Sequence, residues 1–163
     1  MILADGTFSR APNQFLQVYT LHGFRNKICL PLAYILMTRK TKNLYLAVFT
    51  KLCDLALEFG VELQFNYIST DFEMGAIMAF KEVFPESKVR GCHFHFAQSI
   101  IRKVAEFGKK TLYNTDNVVA HQVRQLIALA YVPAEQIPRY YDSIKPHIDD
   151  QLLDVTKYVE VSY

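Results

Sequence analysis

The 163-residue sequence contains no apolar run approaching the ~18 residues that a membrane-spanning helix needs. Its first residues also lack the charged head and apolar core of a secretory signal. The three cysteines, Cys29, Cys53 and Cys92, are an odd number at unrelated spacings, which argues against a disulfide framework. We therefore expect a soluble intracellular protein, nuclear or cytoplasmic, with no membrane partner.

A strong net charge is also missing, but the charges are unevenly distributed. The formal net charge of +2 is too small to imply a nucleic-acid partner by itself. Between positions 88 and 110, however, Glu106 is the only acid among six basic residues: Lys88, Arg90, Arg102, Lys103, Lys109 and Lys110. Such a segment suits a polyanionic partner. The alternative is a solvated helix face rich in lysine and arginine.

No glycine-rich phosphate loop follows the first apolar stretch, which counts against a dinucleotide-binding sheet. Apolar and β-branched runs predict strands at 1–8, 15–21, 28–37, 63–69 and 89–92, with a turn at His22 and Gly23. The run 28–37 is long and nearly all apolar, which predicts a central strand. Apolar residues at helical spacing predict helices at 43–59, capped by Asn43, and from about Glu73 to Pro85. This order favours an α/β fold with a ribonuclease H-like mixed sheet of about five strands flanked by helices.

After His95 the pattern becomes entirely helical. Helices are predicted at 96–107, 118–131, 135–144 and 149–158, followed by an extended stretch at 159–163. We expect a core of residues 1–95 and a helical insertion or subdomain of residues 96–163. Because Asp5 follows almost directly on Met1, we also expect the core to be incomplete.

Two aspartates are the candidate catalytic residues. Asp5 lies on the first predicted strand, and Asp71 follows the fourth, at the carboxyl end where open α/β sheets carry their chemistry. If these strands are neighbours, the two carboxylates can bind two Mg²⁺ ions about 3.5–4 Å apart and support phosphodiester displacement. The alternative is that Asp5 with Gly6 forms a turn and that Asp71 caps a helix.

Cys92 and His95 are zinc-ligand types at ligand spacing, but they make up only half a site. We do not expect a structural zinc. The alternatives are a buried thiol beside a helix-capping imidazole, and a hydrolase built around Cys92, for which no orienting third group is visible.

Four motifs occur in order: Asp5-Gly-Thr-Phe8, Pro31-Leu with Met37-Thr-Arg-Lys-Thr41, Thr70-Asp-Phe-Glu73, and Gly91-Cys-His-Phe-His-Phe-Ala-Gln98. Together they resemble the Mutator-like (MULE) transposase domain from Met1 to about Gly108. The resemblance implies a ribonuclease H-like DDE core that cuts and joins DNA at transposon ends and target with Mg²⁺, and an oligomer in the full-length enzyme. It assigns Asp5 and Asp71 as the first two acids, and Cys92 and His95 as the family's Cys-x-x-His motif.

The third acid of the family has no clear counterpart here. Glu106 follows Asp71 after 34 intervening residues, a spacing of other DDE enzymes, but a helix starting near His95 carries it roughly 16 Å from the sheet. Glu73 better suits the helix N-terminus, and Glu160 is a poorer candidate. We therefore interpret the chain as a transposase fragment that is not catalytic alone; the alternative is a domesticated, non-catalytic DNA-binding or interaction module.

Overall fold

The computed structural model describes residues 1–162, which form two compact units. The first unit is Met1–Cys92 and the second begins at His93. The division therefore comes just before His93, whereas the sequence placed it after His95. Each unit has a hydrophobic core of its own.

The first unit is built on a five-stranded mixed sheet with strand order β3-β2-β1-β4-β5. Its strands are β1 (Ile2–Thr7), β2 (Gln17–Arg25), β3 (Ile28–Met37), β4 (Tyr67–Thr70) and β5 (Lys88–Gly91). The first three pair antiparallel, whereas β1, β4 and β5 run parallel. The expected mixed sheet flanked by helices is thus confirmed, and β1 adjoins β4.

Helices α1 (Lys42–Glu58) and α2 (Met74–Val83) pack on one face of this sheet. The cap of α1 is Thr41, whose hydroxyl accepts from the Leu44 amide, so the prediction of Asn43 as the cap was wrong by two residues. After Phe59, Gly60 takes φ +70 and ends the helix. The largest fully buried core side chains include Tyr19, Tyr45, Phe49, Phe80 and Ile68.

The predicted turn at His22 and Gly23 was wrong. Strand β2 continues through these residues to Arg25, and a register shift at Leu21/His22 keeps the pairing with β3. The chain reverses at Asn26 and Lys27, which have φ 52 and 65. Two successive left-handed residues match the right-handed twist of the flanking strands, as in a type I′ hairpin turn.

Strand β3 lies at the edge of the sheet, so its predicted central position was also wrong. One face of the strand packs toward α1 and α2 through Ala33, Ile35 and Met37. The alternate residues are exposed: Ile28, Leu30, Leu32, Tyr34 and Leu36. Apolar content alone cannot distinguish a strand covered on both faces from one with an open apolar face.

The second unit is all-helical, as expected for the residues after His95. Its helices are α3 (His93–Glu106), α4 (Lys110–Thr115), α5 (Asn117–Ala128), α6 (Ile137–Ile144) and α7 (Leu153–Ser162), with 3₁₀ turns between the later ones. The sequence missed the short α4. The predicted extended end was wrong, because α7 continues to Ser162 and buries Val159 in the core; Tyr163 lies outside the described residues. Within residues 1–162, no helix is both long and apolar enough to cross a membrane.

Candidate functional site

The pairing of β1 with β4 places the two candidate aspartates next to each other. The parallel register joins Ile2 to Ile68 and Ala4 to Thr70. One residue further along, Asp5 and Asp71 occupy matching positions at the carboxyl end of the sheet. Neighbouring strands lie about 4.8 Å apart, so both side chains start from adjacent backbone positions.

Asp71 is held by short-range hydrogen bonds. Its side chain is almost buried, and Oδ1 accepts from the Glu73 amide at 3.2 Å and from the Thr70 hydroxyl at 3.4 Å. The Thr70 hydroxyl is in turn 3.2 Å from the phenol of Tyr19. The residue at the N-cap of α2 is Glu73, so Asp71 belongs to the turn before the helix. Its orientation is therefore set by the turn and by β2.

Glu73 brings a third carboxylate to the same end of the sheet. Its side chain is only 13% exposed, and its Oε1 pairs with the Lys40 ammonium. Its Oε2 accepts a hydrogen bond from the Tyr45 phenol, which accepts in turn from Gln17 Nε2 at 2.7 Å. Glu73 is the N-cap residue of α2, at the helix N-terminus where its negative charge was predicted to act, and its side chain makes no cap hydrogen bond. The carboxylate instead joins α1 and the segment before it to the start of α2.

The two buried tyrosines beside these acids stay protonated. Burial raises the pKa of Tyr19 far above its usual value, and the charges of Asp71, Glu73 and Asp5 raise it further. Burial also raises the pKa of Tyr45, as does its hydrogen bond to Glu73. Both phenols therefore act as neutral hydrogen-bonding groups next to negative charge.

Gly6 lets β1 approach this network closely. A Cβ at Gly6 would lie 2.3 Å from Gln17 Oε1 and 3.4 Å from Glu73 Oε1. Two residues on, the Phe8 ring lies 3.7 Å from the Lys40 ammonium. Lys40 thus contacts both the segment that follows Asp5 and the one that follows Asp71. Sequence reasoning missed Lys40, Tyr45 and Gln17; of these, only Lys40 lay in a motif noted beforehand.

The other two candidate acids lie in the second unit and are engaged there. Glu106 accepts from Lys103 at 2.6 Å. Glu160 accepts from Lys145 at 2.6 Å and from Tyr141 at 2.9 Å, and these hydrogen bonds lower the pKa of Glu160. Neither glutamate belongs to the unit that carries the aspartates.

The donor chemistry of Asp5 and Asp71 fits a magnesium ion. In the described part of the chain, no three His, Cys, Asp or Glu side chains are grouped so as to hold a metal ion. Mg²⁺, however, is commonly bound by one or two carboxylates together with water and substrate phosphates. Two aspartates at adjacent positions at the carboxyl end of the sheet can therefore hold such an ion when a phosphate completes its coordination.

Comparison with known protein families gives a match over the first part of the chain. The family model for the MULE transposase domain matches residues 1–99, more than half of the chain. The chain belongs to the MULE transposase domain family. No curated protein and no solved structure matches it. The MULE match covers the whole sheet, both aspartates and the Cys-x-x-His motif.

The two residues of the MULE Cys-x-x-His motif fall on either side of the division between the units. Cys92 directly follows β5, and its amide donates to the Thr70 carbonyl at 2.7 Å, which places it beside the strand end that leads to Asp71. His95 lies in the first turn of α3. His93, between them, packs its ring on Tyr131 at 4.5 Å and has Nδ1 3.3 Å from the tyrosine hydroxyl.

The basic segment of this MULE domain divides into separate sets. On β5, the Arg90 guanidinium lies 4.8 Å and the Lys88 ammonium 6.0 Å from the centre of the Tyr67 ring. In the second unit, Arg102 and Lys110 line a groove of about 350 Å³ between α3 and α4, and Lys109 precedes α4.

Lys103 differs from the other basic residues of the second unit. Besides its ion pair with Glu106, its ammonium lies 6.0 Å from the Phe107 ring and 5.4 Å from the Tyr158 ring. These internal contacts reduce its availability to a partner, whereas Arg102 lies on an open groove.

Proposed function

We propose that this chain supplies part of the catalytic core of a MULE-type DNA transposase with a ribonuclease H-like fold. The single observation that carries the proposal is the β1–β4 pairing, which sets Asp5 beside Asp71 within the segment matched by the family. The sheet order supports the fold: three antiparallel strands are followed by two parallel strands joined through helices.

In this proposal Asp5 and Asp71 hold Mg²⁺ ions at the carboxyl end of the sheet. The bound metal supplies activation of the attacking oxygen and stabilisation of the leaving oxygen in phosphodiester displacement. The protein's own part is to keep both carboxylates at adjacent strand positions. The Tyr19–Thr70 hydrogen bond and the Glu73 amide fix the orientation of Asp71.

The basic side chains supply contacts to DNA phosphates. Lys88 and Arg90 project from the edge strand β5 beside Tyr67, and Arg102 and Lys110 line the groove between α3 and α4. Lysine and arginine contacts of this kind position a protein on DNA without reading its sequence. Lys109 and Lys103 complete the proposed set, with Lys103 contributing least because of its internal ion pair.

A second candidate is a domesticated, non-catalytic DNA-binding or interaction module. The observation that favours it is the lack, among residues 1–162, of any group of three metal-ligating side chains. Such a module would keep the scaffold and the basic surfaces, and its two aspartates would serve only the turns at the strand ends.

Cation-dependent DNA binding separates these two functions. We expect the purified chain to bind Mn²⁺, used as a probe for Mg²⁺, and to bind duplex DNA more tightly when the ion is present. Asp5→Asn and Asp71→Asn should each abolish this enhancement, while Asp54→Asn, on α1, serves as the control. DNA binding that is identical in EDTA and in Mn²⁺, with both aspartate variants unchanged, would refute the transposase proposal and favour the module.

A further inference from the structure

We propose that Glu73 is a positioning residue for Asp71, held in place by Tyr45 and Lys40. The inference rests on the proposed function in one respect: it takes Asp71 to be a ligand of a divalent cation. Asp71 is joined to the start of α2 by the hydrogen bond that its Oδ1 accepts from the Glu73 amide.

Glu73 contacts Asp71 through its backbone amide. The Glu73 amide donates to Asp71 Oδ1 at 3.2 Å, so the position of the Glu73 backbone sets the direction of the Asp71 carboxylate. The same oxygen also accepts a hydrogen bond from the Thr70 hydroxyl at 3.4 Å. Any movement of the peptide between residues 71 and 73 is therefore transmitted to the carboxylate.

The Glu73 side chain is anchored at both oxygens. Tyr45, which is fully buried on α1, donates to Oε2, and Gln17 Nε2 on β2 donates at 2.7 Å to the Tyr45 oxygen. Lys40 pairs with Oε1 from the segment before α1. The start of α2 is thereby tied to a helix, a strand and a loop of the same unit.

The loop that carries Lys40 is itself packed against the first turn of α2. A Cβ at Gly75 would lie 2.6 Å from the Lys40 carbonyl oxygen and 3.2 Å from the Lys42 amide nitrogen. These are backbone atoms, so the approach leaves no room for a side chain. The close packing keeps the Lys40 ammonium within reach of Glu73.

Glu73 occupies the N-cap of α2, but its side chain makes no cap hydrogen bond. It also forms no three-residue metal group with its neighbours in the described chain. Its carboxylate is instead held by Tyr45 and Lys40. Residues that hydrogen-bond to metal ligands without touching the metal orient those ligands, and their loss typically weakens metal binding about 10- to 100-fold.

The test is Mn²⁺ binding to the full chain, followed by the loss of the free-ion electron paramagnetic resonance signal. Tyr45→Phe releases Glu73 from its buried anchor and changes no charge, so we expect the Mn²⁺ Kd to rise about 10-fold. Tyr34→Phe, at an exposed site on β3, is the matched control and should leave the Kd unchanged. Glu73→Asp keeps the charge and the backbone amide but is one methylene short of Tyr45, and it should weaken binding to a similar degree. Thermal melts establish that each variant is folded at the temperature of the titration.

A double-mutant cycle identifies the route of the effect. If Tyr45 acts through Glu73, Tyr45→Phe should have no further effect on the Kd in a Glu73→Ala background, which has no side-chain acceptor for the Tyr45 hydroxyl. A folded Tyr45→Phe or Glu73→Asp protein with the wild-type Kd would overturn the proposal, as would an undiminished Tyr45→Phe effect in the Glu73→Ala background. If Tyr45→Phe does not fold, Glu73→Asp decides alone. Wild-type Mn²⁺ binding by Asp71→Asn would instead refute the metal site itself, which distinguishes failure of the proposed function from failure of this inference.

Discussion

Gly6→Ala tests whether the network beside Asp5 is packed as the structure shows. The added Cβ would stand 2.3 Å from Gln17 Oε1 and 3.2 Å from its Cδ, and Gln17 is fully buried between Tyr45 and Met37. Its amide can give way only by breaking the 2.7 Å hydrogen bond to Tyr45.

The expected cost has three contributions. Overpacking a buried site costs about 1–3 kcal/mol, and losing the Gln17–Tyr45 hydrogen bond costs about 1 kcal/mol more. Replacing glycine by alanine in a strand returns about 0.5–1 kcal/mol of chain entropy. We therefore expect a net destabilisation of about 1–3.5 kcal/mol by summing these terms.

Gly23→Ala is the matched control on the adjacent strand. There the nearest atom to an added Cβ is Leu32 Cδ1 at 3.0 Å, and Leu32 is an exposed side chain that can turn away. This variant should lie within about 0.5 kcal/mol of the wild type, as surface substitutions usually do.

Urea-dependent hydrogen exchange of peptides from β1 and β2 measures the opening free energy of this sheet alone. A further variant, Gly6→Ala with Gln17→Ala, makes room for the new methyl group. It should be less destabilised than the sum of the two single variants, by about 1 kcal/mol or more. A Gly6→Ala protein as stable as the Gly23→Ala control, or strictly additive effects, would refute the packing described here.

Three other perturbations have defined outcomes. Phe80→Ala removes a ring stacked on Phe49 at 4.0 Å and should lower the free energy of unfolding by about 3–5 kcal/mol. Phe59→Ala, at an exposed position, should lower it by less than about 0.5 kcal/mol. Urea denaturation measures both. Arg102→Gln should reduce the steepness with which the logarithm of the DNA association constant falls against the logarithm of the salt concentration, by about 0.9. Lys103→Gln should reduce it by less, because Lys103 is already paired with Glu106. Fluorescence anisotropy at several salt concentrations measures both slopes. The raised pKa of Tyr45 keeps it protonated in the fold while its unfolded counterpart ionises near pH 10, so stability falls as the pH rises above 10. In that range, the free energy of unfolding of Tyr45→Phe should fall with pH less steeply than that of the wild type, by up to about 1.4 kcal/mol per pH unit, which is the value for one proton. Equal slopes in the two proteins would contradict the burial of Tyr45.

The order of the strands and helices could be predicted from the sequence because the spacing of apolar residues and the residues that end helices and strands agree along most of the first unit. Alternation of two and of 3.6 residues separates the strands from α1 and α2, and Gly60 and Gly108, both with positive φ, end helices where expected. The place of β3 could not be predicted, because its apolar residues on both faces give the pattern of a buried strand. Whether a face of a sheet is covered by other elements depends on long-range packing.

The candidate site was predictable only in part. Asp5 and Asp71 stand out because an acid follows each of two apolar runs, and the β1–β4 pairing brings their positions together. The partners of Glu73 lie 33 residues before it at Lys40 and 28 residues before it at Tyr45, on a loop and a helix that meet it only in the folded chain. Tyr45 also fits the apolar spacing of α1, so nothing local marks its phenol as a hydrogen-bond donor. Contacts between distant segments carry no signal in local periodicity.

The most direct measurement is an anomalous-difference map from crystals of the chain soaked in MnCl₂. The proposed function predicts a peak at the carboxyl ends of β1 and β4, about 2.0–2.2 Å from carboxylate oxygens of both Asp5 and Asp71, taking Mn²⁺ to keep distances close to those of Mg²⁺. A map that shows Mn²⁺ bound at other sites but no peak at these aspartates would contradict the proposed function. Asp5 and Asp71 carboxylates directed to opposite faces of the sheet would contradict it as well.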